Sequence, residues 1–388
     1  VNTMTMDLKR RGFLFGGASA IALASAGGSA LLAASAQAAR SLRPKPLYGP
    51  EPGFAKLNAN ENPYGPSRDA LIAMQEATAN GAYYVQQSAA MLQKMIAEHN
   101  GLDPEYVAMG SGSSAALVAA AINAAQKGDI LAPDLFWDTT TLSIERQGIA
   151  KIKRLPKHPG LEVDLNAMLA AVDDSISMVQ VVNPNNPTGL LSDPTALRDF
   201  CIKASKKATV LVDEAYNEVT DDPAANTMVS LVKEGHDVII ARTFSKIYGL
   251  AGMRVGYIIA APEKIKEISR YGIGWYGLNQ AGIAAAIASY EDKDFMDYSR
   301  ARIREAREMI VDAVTSHGLS ALSSQTNFVF VDLGDINADA FRKEMEKERV
   351  LIRGIYRDYT NWSRVSVGRP EAVQQYINAL PRVLDRLA

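Results

Sequence analysis

The chain has 388 residues, with 41 basic and 43 acidic side chains and a formal net charge of −2. This balance excludes a general basic surface for nucleic acid, and the length exceeds one core of ordinary size, so a large domain with a smaller one is expected. The single cysteine, Cys201, excludes an internal disulfide, and the 4 histidines show no paired spacing suited to a metal.

The first 38 residues differ from the rest of the chain. Lys9, Arg10 and Arg11 precede an Ala- and Gly-rich apolar segment, and residues 36–38 read Ala-Gln-Ala, which is typical of a signal-peptide cleavage site. This stretch resembles a twin-arginine export signal. Its moderate hydrophobicity favours a removable signal over a permanent membrane anchor. We therefore expect residues 1–38 to direct export, with the mature protein in the periplasm and without a stable membrane span.

Loops and helices alternate in the next segment. Residues 40–52 are proline-rich and indicate an extended arm, and the Asn- and Pro-dense stretch 57–66 indicates a structured loop. The pattern of residues 67–80 predicts a helix with Ser67 as a possible N-cap, and a second helix is predicted over residues 89–100.

A turn of small residues, 109–114, leads into an Ala-rich helix. The unpaired N–H groups at a helix N-terminus attract anions, because they lie at the positive end of the helix dipole. Gly112, Ser113 and Ser114 could therefore hold a phosphate. A helix N-terminus capped by Gly and Ser for local reasons alone would have the same sequence.

Short apolar runs then alternate with helical stretches. Runs of this kind, each followed by loop residues, are typical of buried strands in a largely parallel sheet. In such sheets ligands bind at the carboxyl ends of the strands, so the residues after each run are the ones to inspect. The runs are residues 130–132, 178–182, 210–212, 238–240 and 256–259.

Polar and aromatic side chains follow several of these runs. Residues 183–189 read Asn-Pro-Asn-Asn-Pro-Thr-Gly, and residues 213–216 read Asp-Glu-Ala-Tyr. Residues 133–137, Pro-Asp-Leu-Phe-Trp, add aromatic rings at the same edge. The alternative for the acid is a simple helix cap, but an amide, a carboxylate and a phenol at one edge favour a binding site.

Residues 241–256 carry the most informative pattern. Lys246 lies among small and apolar neighbours after a buried strand, with Ser245 beside it and Arg254 eight residues further on. Burial disfavours the ammonium form of a lysine, and a neutral amine attacks an aldehyde to form a Schiff base. A hydroxyl and an arginine that bind a phosphate complete a site suited to pyridoxal phosphate. The alternative is a strand and a Gly-rich turn with a solvated lysine.

The C-terminal part predicts a second, smaller sheet. A helix rich in Arg and Glu is expected over residues 294–317, followed by a half-buried strand over residues 326–332. Two further strands, near residues 350–353 and 364–368, carry Arg353 and Arg364. An arginine pair suits a carboxylate or a phosphate on a substrate.

These motifs resemble those of fold-type I pyridoxal-phosphate-dependent aminotransferases (class I/II), and within them the histidinol-phosphate aminotransferases. The resemblance extends from Leu57 to the C-terminus. It implies an α/β fold in which a large domain, residues 78–285, holds a mostly parallel seven-stranded sheet. Residues 39–77 and 286–388 would form a smaller α+β domain with the N-terminal arm. The motifs that carry the resemblance are residues 58–66, 184–189, 213–216, 242–246 and 249–254.

The resemblance also implies the catalytic groups. Lys246 would bond the cofactor aldehyde and then move the substrate proton. Asp213 would keep the pyridinium nitrogen protonated, and Asn186 with Tyr216 would donate hydrogen bonds to the ring oxygen. The implied catalytic set is Lys246, Asp213 and Tyr216.

The remaining implied contacts concern the phosphate, the ring face and the substrate. Trp137 would stack on the ring, with Phe136 left open as the alternative, and Tyr84 would reach the cofactor of a second subunit in a homodimer. The substrates would be an amino acid, or histidinol phosphate, and a 2-oxo acid. The phosphate ligands would be Ser113, Ser114, Ser245 and Arg254, and the substrate-binding residues Arg364, Arg353, Asn60 and Glu61.

Three departures from the family pattern leave the substrate open. Ser113-Ser114-Ala115 lacks the acidic residues frequent after this turn, Tyr83-Tyr84-Val85 replaces Arg-Tyr-Pro, and residues 133–137 are unusual. Two other function classes also stay open. One is a pyridoxal-phosphate-dependent lyase or decarboxylase, and the other is a non-catalytic binding protein.

Overall fold

The computed structural model describes residues 47–156 and 159–388, so the predicted export signal and most of the predicted arm lie outside the described residues. Pro52–Ala388 forms one compact unit. Its strands are β1 (Ala55–Lys56), β2 (Val107–Ser111), β3 (Asp129–Pro133), β4 (Ile152–Leu155), β5 (Ile176–Val182), β6 (Thr209–Asp213), β7 (Val238–Thr243), β8 (Val255–Ile259), β9 (Ser320–Ala321), β10 (Phe328–Asp332), β11 (Val350–Leu351) and β12 (Trp362–Ser366).

The helices lie between and after these strands. Among the described residues, no helix is both long and apolar enough to cross a bilayer. The α-helices are α1 (Arg68–Thr78), α2 (Gln86–His99), α3 (Gly112–Ala125), α4 (Thr139–Arg146), α5 (Leu165–Ala170), α6 (Pro194–Ala204), α7 (Pro223–Asn226), α8 (Val229–Lys233), α9 (Pro262–Ser269), α10 (Gln280–Tyr290), α11 (Lys293–Ser316), α12 (Ala338–Lys347) and α13 (Pro370–Leu387).

A seven-stranded sheet in the order β2-β8-β7-β6-β5-β3-β4 forms the centre of the described chain. Its strands are parallel except β8, which is antiparallel to both neighbours. This confirms the predicted α/β fold with a mostly parallel sheet. The short apolar runs form β3, β5, β6, β7 and β8 because both faces of the sheet are covered and favour apolar side chains.

Two strands of this sheet differ from the expectations. β2 extends to Ser111 and includes residues assigned to the turn, because its small residues, Gly110 and Ser111, do not resemble an apolar run. β4 has the sequence Ile-Lys-Arg-Leu and lies at the sheet edge, where charged side chains are tolerated. The helix predicted over residues 89–100 begins earlier, at Gln86.

The parallel strands bring three loops to one edge. Val182 at the end of β5 pairs with Asp213 at the end of β6, and Asp213 pairs with Ala241 of β7. The segments that follow these strands, with Asn186, Tyr216 and Lys246, therefore leave the sheet side by side.

The C-terminal part contains the three-stranded sheet β12-β10-β9, which is antiparallel. The prediction of a half-buried strand over residues 326–332 is wrong, because Phe328 to Val331 are fully buried. One face joins the core formed with α11 and α13, and Phe330 on the other face packs with Leu135 and Tyr356. The division into domains at residues 78 and 285 stays a prediction.

Candidate active site

A cavity of about 350 Å³ lies at the carboxyl edge of the seven-stranded sheet. A second cavity, of about 410 Å³ beside α5 and α6, contains none of the predicted site residues, so we place the candidate site in the first. The predicted residues in the lining are Asn60, Ser113, Ser114, Trp137, Asn186, Asp213, Tyr216, Ser245, Lys246, Arg254, Arg353 and Arg364.

Lys246 follows β7 and extends into this cavity. Its Nζ donates a hydrogen bond to the carbonyl oxygen of Asn60 at 3.0 Å. The same nitrogen lies 5.2 Å from the centre of the Tyr216 ring. These two contacts hold the amine at the centre of the site while leaving its remaining hydrogens free to face a ligand.

Asp213 ends β6 and is fully enclosed by the protein. Burial raises the pKa of its carboxyl group to about 7, opposed by a hydrogen bond from the Ala215 N–H and by the charge of Lys246. The Ala215 nitrogen donates to Oδ1 at 3.1 Å. A cationic group in the cavity would lower this pKa again and keep the carboxylate ionised.

Tyr216 is the centre of a hydrogen-bond network that joins the loops after β5 and β6 to the loop after β1 and to strand β12. Its hydroxyl accepts from Nδ2 of Asn60 at 2.9 Å and from Nδ2 of Asn186 at 3.3 Å. Oδ1 of Asn186 accepts from Nη1 of Arg364 at 2.7 Å, and Oδ1 of Asn60 accepts from Oγ of Ser366 at 2.6 Å. The Tyr216 hydroxyl is thus fixed by donors from two separate loops.

The start of α3 forms a cradle with Arg254. Gly112 has φ +71°, which favours glycine, and a Cβ atom there would crowd the guanidinium of Arg254 in its present position. Arg254 has the left-handed φ of +54°. Nη1 of Arg254 and Oγ1 of Thr243 both donate to Oγ of Ser245, at 3.4 and 2.8 Å.

Gly256 on β8 allows the sheet to touch this cradle. A Cβ atom on residue 256 would lie 2.2 Å from the backbone nitrogen of Ser113, which cannot move independently of α3. Gly256→Ala should therefore displace the start of α3 and destabilise the fold by about 1–3 kcal/mol. Thermal unfolding and a titration with pyridoxal phosphate should show a lower Tm and weaker cofactor binding.

Gly252→Ala is the matched control, because a Cβ atom on residue 252 meets nothing within 4 Å. A Gly256→Ala protein with the Tm and the cofactor affinity of this control would contradict the close approach.

Arg353 and Arg364 face the cavity from the C-terminal sheet, where their backbones form an antiparallel bridge. Arg364 is buried, and burial lowers its guanidinium pKa. Its Nε has no hydrogen-bond partner in the described part of the chain. Among the described residues, neither guanidinium forms an ion pair with an acidic side chain. Both cations are therefore free to bind an anionic ligand.

Three of the predicted residues lie outside the cavity lining. Glu61 is paired with Lys56, so the structure does not bring it to the site. Tyr84 is 81% exposed and packs edge-on against the rings of Trp275 and Tyr276. Phe136, the alternative stacking residue, packs in a separate apolar cluster, and Trp137 lines the cavity instead.

The lining also contains residues that the motifs did not single out. Thr243 lies within the lysine segment, and its Oγ1 accepts from the Ser245 N–H at 3.1 Å. The Asn58 carbonyl oxygen accepts from Nη2 of Arg364 at 3.3 Å. The sequence signal for either is its place within a recognised motif, and for Asn58 the residue type carries no further signal, because the contact uses a backbone carbonyl.

The residues present fit pyridoxal phosphate. The cradle at Gly112 and Arg254 suits a phosphate, the buried carboxyl of Asp213 suits a protonated ring nitrogen, and Lys246 suits an aldehyde. The unpaired Nε of Arg364 suits an anionic group of a substrate on the same cofactor.

Comparisons with known proteins agree with this arrangement. A family model described as aminotransferase class I and II matches residues 52–380. Among the relatives, histidinol-phosphate aminotransferase of Moorella thermoacetica is 33% identical over 331 residues, covering 85% of each chain. The homologue of the same name from Brevibacillus brevis is 32% identical over 331 residues, covering 85% of this chain and 90% of its own.

One of the similar solved structures contains pyridoxal phosphate. Histidinol-phosphate aminotransferase from Sinorhizobium meliloti, in complex with pyridoxal-5'-phosphate, superposes with a TM-score of 0.79 at 28% identity. The match covers 89% of this chain and 96% of that one. The range matched by the family model, residues 52–380, includes every residue of the cavity lining.

Proposed function

Since the chain belongs to the aminotransferase class I and II family and is a pyridoxal-phosphate-dependent aminotransferase, we propose that it moves the amino group of an α-amino acid with an acidic or aromatic side chain to a 2-oxo acid. The observation that carries this proposal is the pair of guanidiniums, Arg353 and Arg364, that line the same cavity as Lys246 without an acidic partner among the described residues.

The cofactor would be held by the residues of the cavity. Bound pyridoxal phosphate supplies an aldehyde for the substrate amine and a ring that accepts the electron pair of the α-carbon. Trp137 would stack on the ring, Asp213 would pair with its nitrogen, and Tyr216 with Asn186 would bind its oxygen. The phosphate would be held by Ser113, Ser114, Ser245 and Arg254.

The substrate would then be positioned between Lys246 and the two arginines. The Lys246 amine, held by the Asn60 carbonyl, would take the proton from the α-carbon of the substrate and deliver it to the carbon of the cofactor aldehyde. Arg364 would bind the α-carboxylate, because Asn186 and Asn58 hold its guanidinium from behind. Arg353, with the ring of Tyr356 at 5.9 Å, would admit an acidic or aromatic side chain.

The two arginines should differ in their effect on substrate choice. Arg364→Ala should lower kcat/KM for every carboxylate-bearing donor alike, by about 30- to 1000-fold, because a lost carboxylate partner costs roughly 2–4 kcal/mol of transition-state binding. Arg353→Ala should instead change the ranking of the donors. Steady-state kinetics with glutamate, phenylalanine, tyrosine and alanine, each with one 2-oxo acid, measure both effects.

Arg382→Ala is a suitable control for these variants, since Arg382 lies on α13, pairs with Glu348 and is outside the cavity lining. Equal losses in the Arg364 and Arg353 variants for all donors would contradict the separate roles.

Histidinol phosphate is the second candidate substrate, because relatives that share about a third of the sequence carry that name. Its phosphate would use the same arginines. A direct competition between histidinol phosphate and glutamate, phenylalanine or tyrosine decides between the two. A preference for histidinol phosphate above about tenfold, or 1.4 kcal/mol, would replace the proposed substrate class.

We further propose a homodimer in which Tyr84 of one subunit reaches the cofactor phosphate of the other. Support comes from exposed apolar and aromatic side chains on α1 and α2 and around Tyr84 and Tyr276, since a monomer rarely exposes many such side chains. Light scattering in solution tests the dimer. The exposed side chains are Leu71, Ile72, Tyr83, Tyr84, Met91 and Tyr276.

Export is proposed on the sequence of residues 1–38 alone. Replacing Arg10 and Arg11 with lysine should leave the protein in the cytoplasm, folded and active, because the twin-arginine pathway reads the arginine pair. Cell fractionation with an activity assay measures this. Replacement of Lys9 by arginine serves as the control, and unchanged fractionation of the double variant would contradict the proposal.

A further inference from the structure

Asp134 follows β3 at the carboxyl edge of the sheet and contacts a loop from the C-terminal part of the chain, residues 354–361. Its Oδ2 accepts a hydrogen bond from the Tyr359 hydroxyl at 3.1 Å, and its Oδ1 pairs with Nε of Arg357 at 3.2 Å. The Asp134 backbone is itself held, because its N–H donates to the Leu155 carbonyl at 2.8 Å. Both oxygens of the Asp134 carboxylate therefore bind side chains in the middle of the loop, and the Asp134 backbone is fixed to β4.

The ends of the same loop are held within the C-terminal part. The Ile355 N–H donates to Oδ1 of Asp339 at 3.2 Å, and Nδ2 of Asn361 donates to Oδ1 of Asp332 at 2.8 Å. Loss of the Asp134 contacts would thus free the middle of the loop while its ends stay in place. The fold should survive such a change.

The middle of the loop carries Tyr356. Tyr356 and Tyr359 form a tight turn, in which the Tyr359 N–H donates to the Tyr356 carbonyl at 2.9 Å and Arg357 has a left-handed φ of +51°. A left-handed arginine is strained, so it persists only where contacts enforce it. The Asp134 carboxylate supplies such a contact directly on the Arg357 side chain.

Tyr356 in turn packs against both substrate-side arginines. The centre of its ring lies 5.6 Å from the guanidinium carbon of Arg364 and 5.9 Å from that of Arg353. Its hydroxyl is buried and has no hydrogen-bond partner in the described part of the chain. The position of this ring therefore limits where both guanidiniums can lie and what they can bind.

We propose that Asp134 is a positioning residue for the substrate: by holding the Tyr356–Tyr359 turn, it keeps Tyr356 over Arg353 and Arg364 and so sets the affinity for the anionic groups of the amino donor. This inference rests on the proposed role of the two arginines. Burial, together with the hydrogen bond to Asp134, raises the pKa of Tyr359 to about 12, so the phenol keeps the proton that it donates at working pH.

Asp134→Ala, Tyr359→Phe and the control Asp221→Ala test the proposal on the cofactor-loaded protein. Asp221 is matched to Asp134, because it also pairs with one arginine, Arg304 at 2.6 Å, and one neutral donor, Gln325 at 2.9 Å. The loss of two partly exposed contacts of this kind should change the equilibrium between the held and the open turn by about 3- to 20-fold. Asp134→Ala should raise the KM for glutamate, or for phenylalanine if that is the better donor, by this factor.

The accompanying readouts separate positioning from general damage. In Asp134→Ala, kcat and the affinity for pyridoxal phosphate should stay within about twofold of the wild type, since Asp134 touches neither the cavity nor Lys246. Hydrogen exchange of residues 354–361 should become about 3- to 20-fold faster, because the turn opens more often. Tyr359→Phe should give a smaller change of the same kind, and Asp221→Ala none.

Several outcomes would overturn the proposal. One is an unchanged KM in both Asp134→Ala and Tyr359→Phe, and another is unchanged exchange of residues 354–361. A lower kcat and a weaker cofactor affinity that accompany the higher KM would show a structural role instead. If the wild-type enzyme uses none of glutamate, phenylalanine and tyrosine, the proposed substrate class is wrong, whereas the exchange measurement still decides whether Asp134 holds the loop.

Discussion

Lys246→Ala should lower turnover by several orders of magnitude and remove the visible absorbance that the cofactor gains when it is bonded to an amine. The change removes the nucleophile that bonds the aldehyde and the base that moves the substrate proton, and both functions belong to one Nζ atom. Absorbance spectra and kcat with the best donor measure the two losses separately.

The control for this variant is Lys207→Ala. Lys207 also donates from Nζ to a backbone carbonyl, that of Val172 at 3.4 Å, but it lies outside the cavity lining. A small primary amine added to Lys246→Ala should restore part of the proton transfer, because the cavity left by the side chain admits a replacement base. Normal turnover or an unchanged spectrum in Lys246→Ala would end the proposed role of Lys246.

The sequence predicted the parallel sheet well because its strands are buried on both faces. The run Val238-Ile239-Ile240, for example, has no reason to be apolar at every position unless helices cover both sides. Because successive parallel strands end on the same side of the sheet, the strand order also predicts that Asn186, Asp213 and Lys246 lie at one edge. Most of the candidate site could therefore be located from residue order alone.

What the sequence could not predict are contacts made by the backbone or across long separations. Asn60 forms hydrogen bonds with Lys246 and Tyr216, which are both more than 150 positions away in the sequence. The bond with Lys246 uses the backbone carbonyl oxygen of Asn60. β2 was missed because Gly110 and Ser111 look like a turn, although glycine on this strand lets α3 begin close by. The burial of Phe328 depends on Ala215 and Tyr216, neither of which is adjacent to it in sequence.

Asp213→Asn should lower kcat by about 100- to 1000-fold while pyridoxal phosphate still binds, because removing one fixed charge at a developing transition-state charge has an effect of this size. The isosteric amide keeps the oxygen that accepts from the Ala215 N–H, so the local backbone should be unchanged. Asp129→Asn is the control: Asp129 also accepts from one backbone N–H, that of Lys151 at 2.9 Å, at the opposite end of a strand.

The cofactor-free protein gives a second measurement that is independent of activity. Burial raises the Asp213 pKa from 3.8 to about 7, so between these values the folded state binds a proton that the unfolded state has lost. The contribution of Asp213 to stability is therefore fully present below pH about 4 and is lost as the pH rises to about 7. Asp213→Asn should remove this part of the pH dependence in chemical unfolding. Bound cofactor should also remove it, since a protonated ring nitrogen would return the pKa toward its ordinary value. The role of Asp213 at the ring nitrogen would be contradicted by a kcat equal to that of Asp129→Asn, or by a pH dependence that the cofactor leaves unchanged.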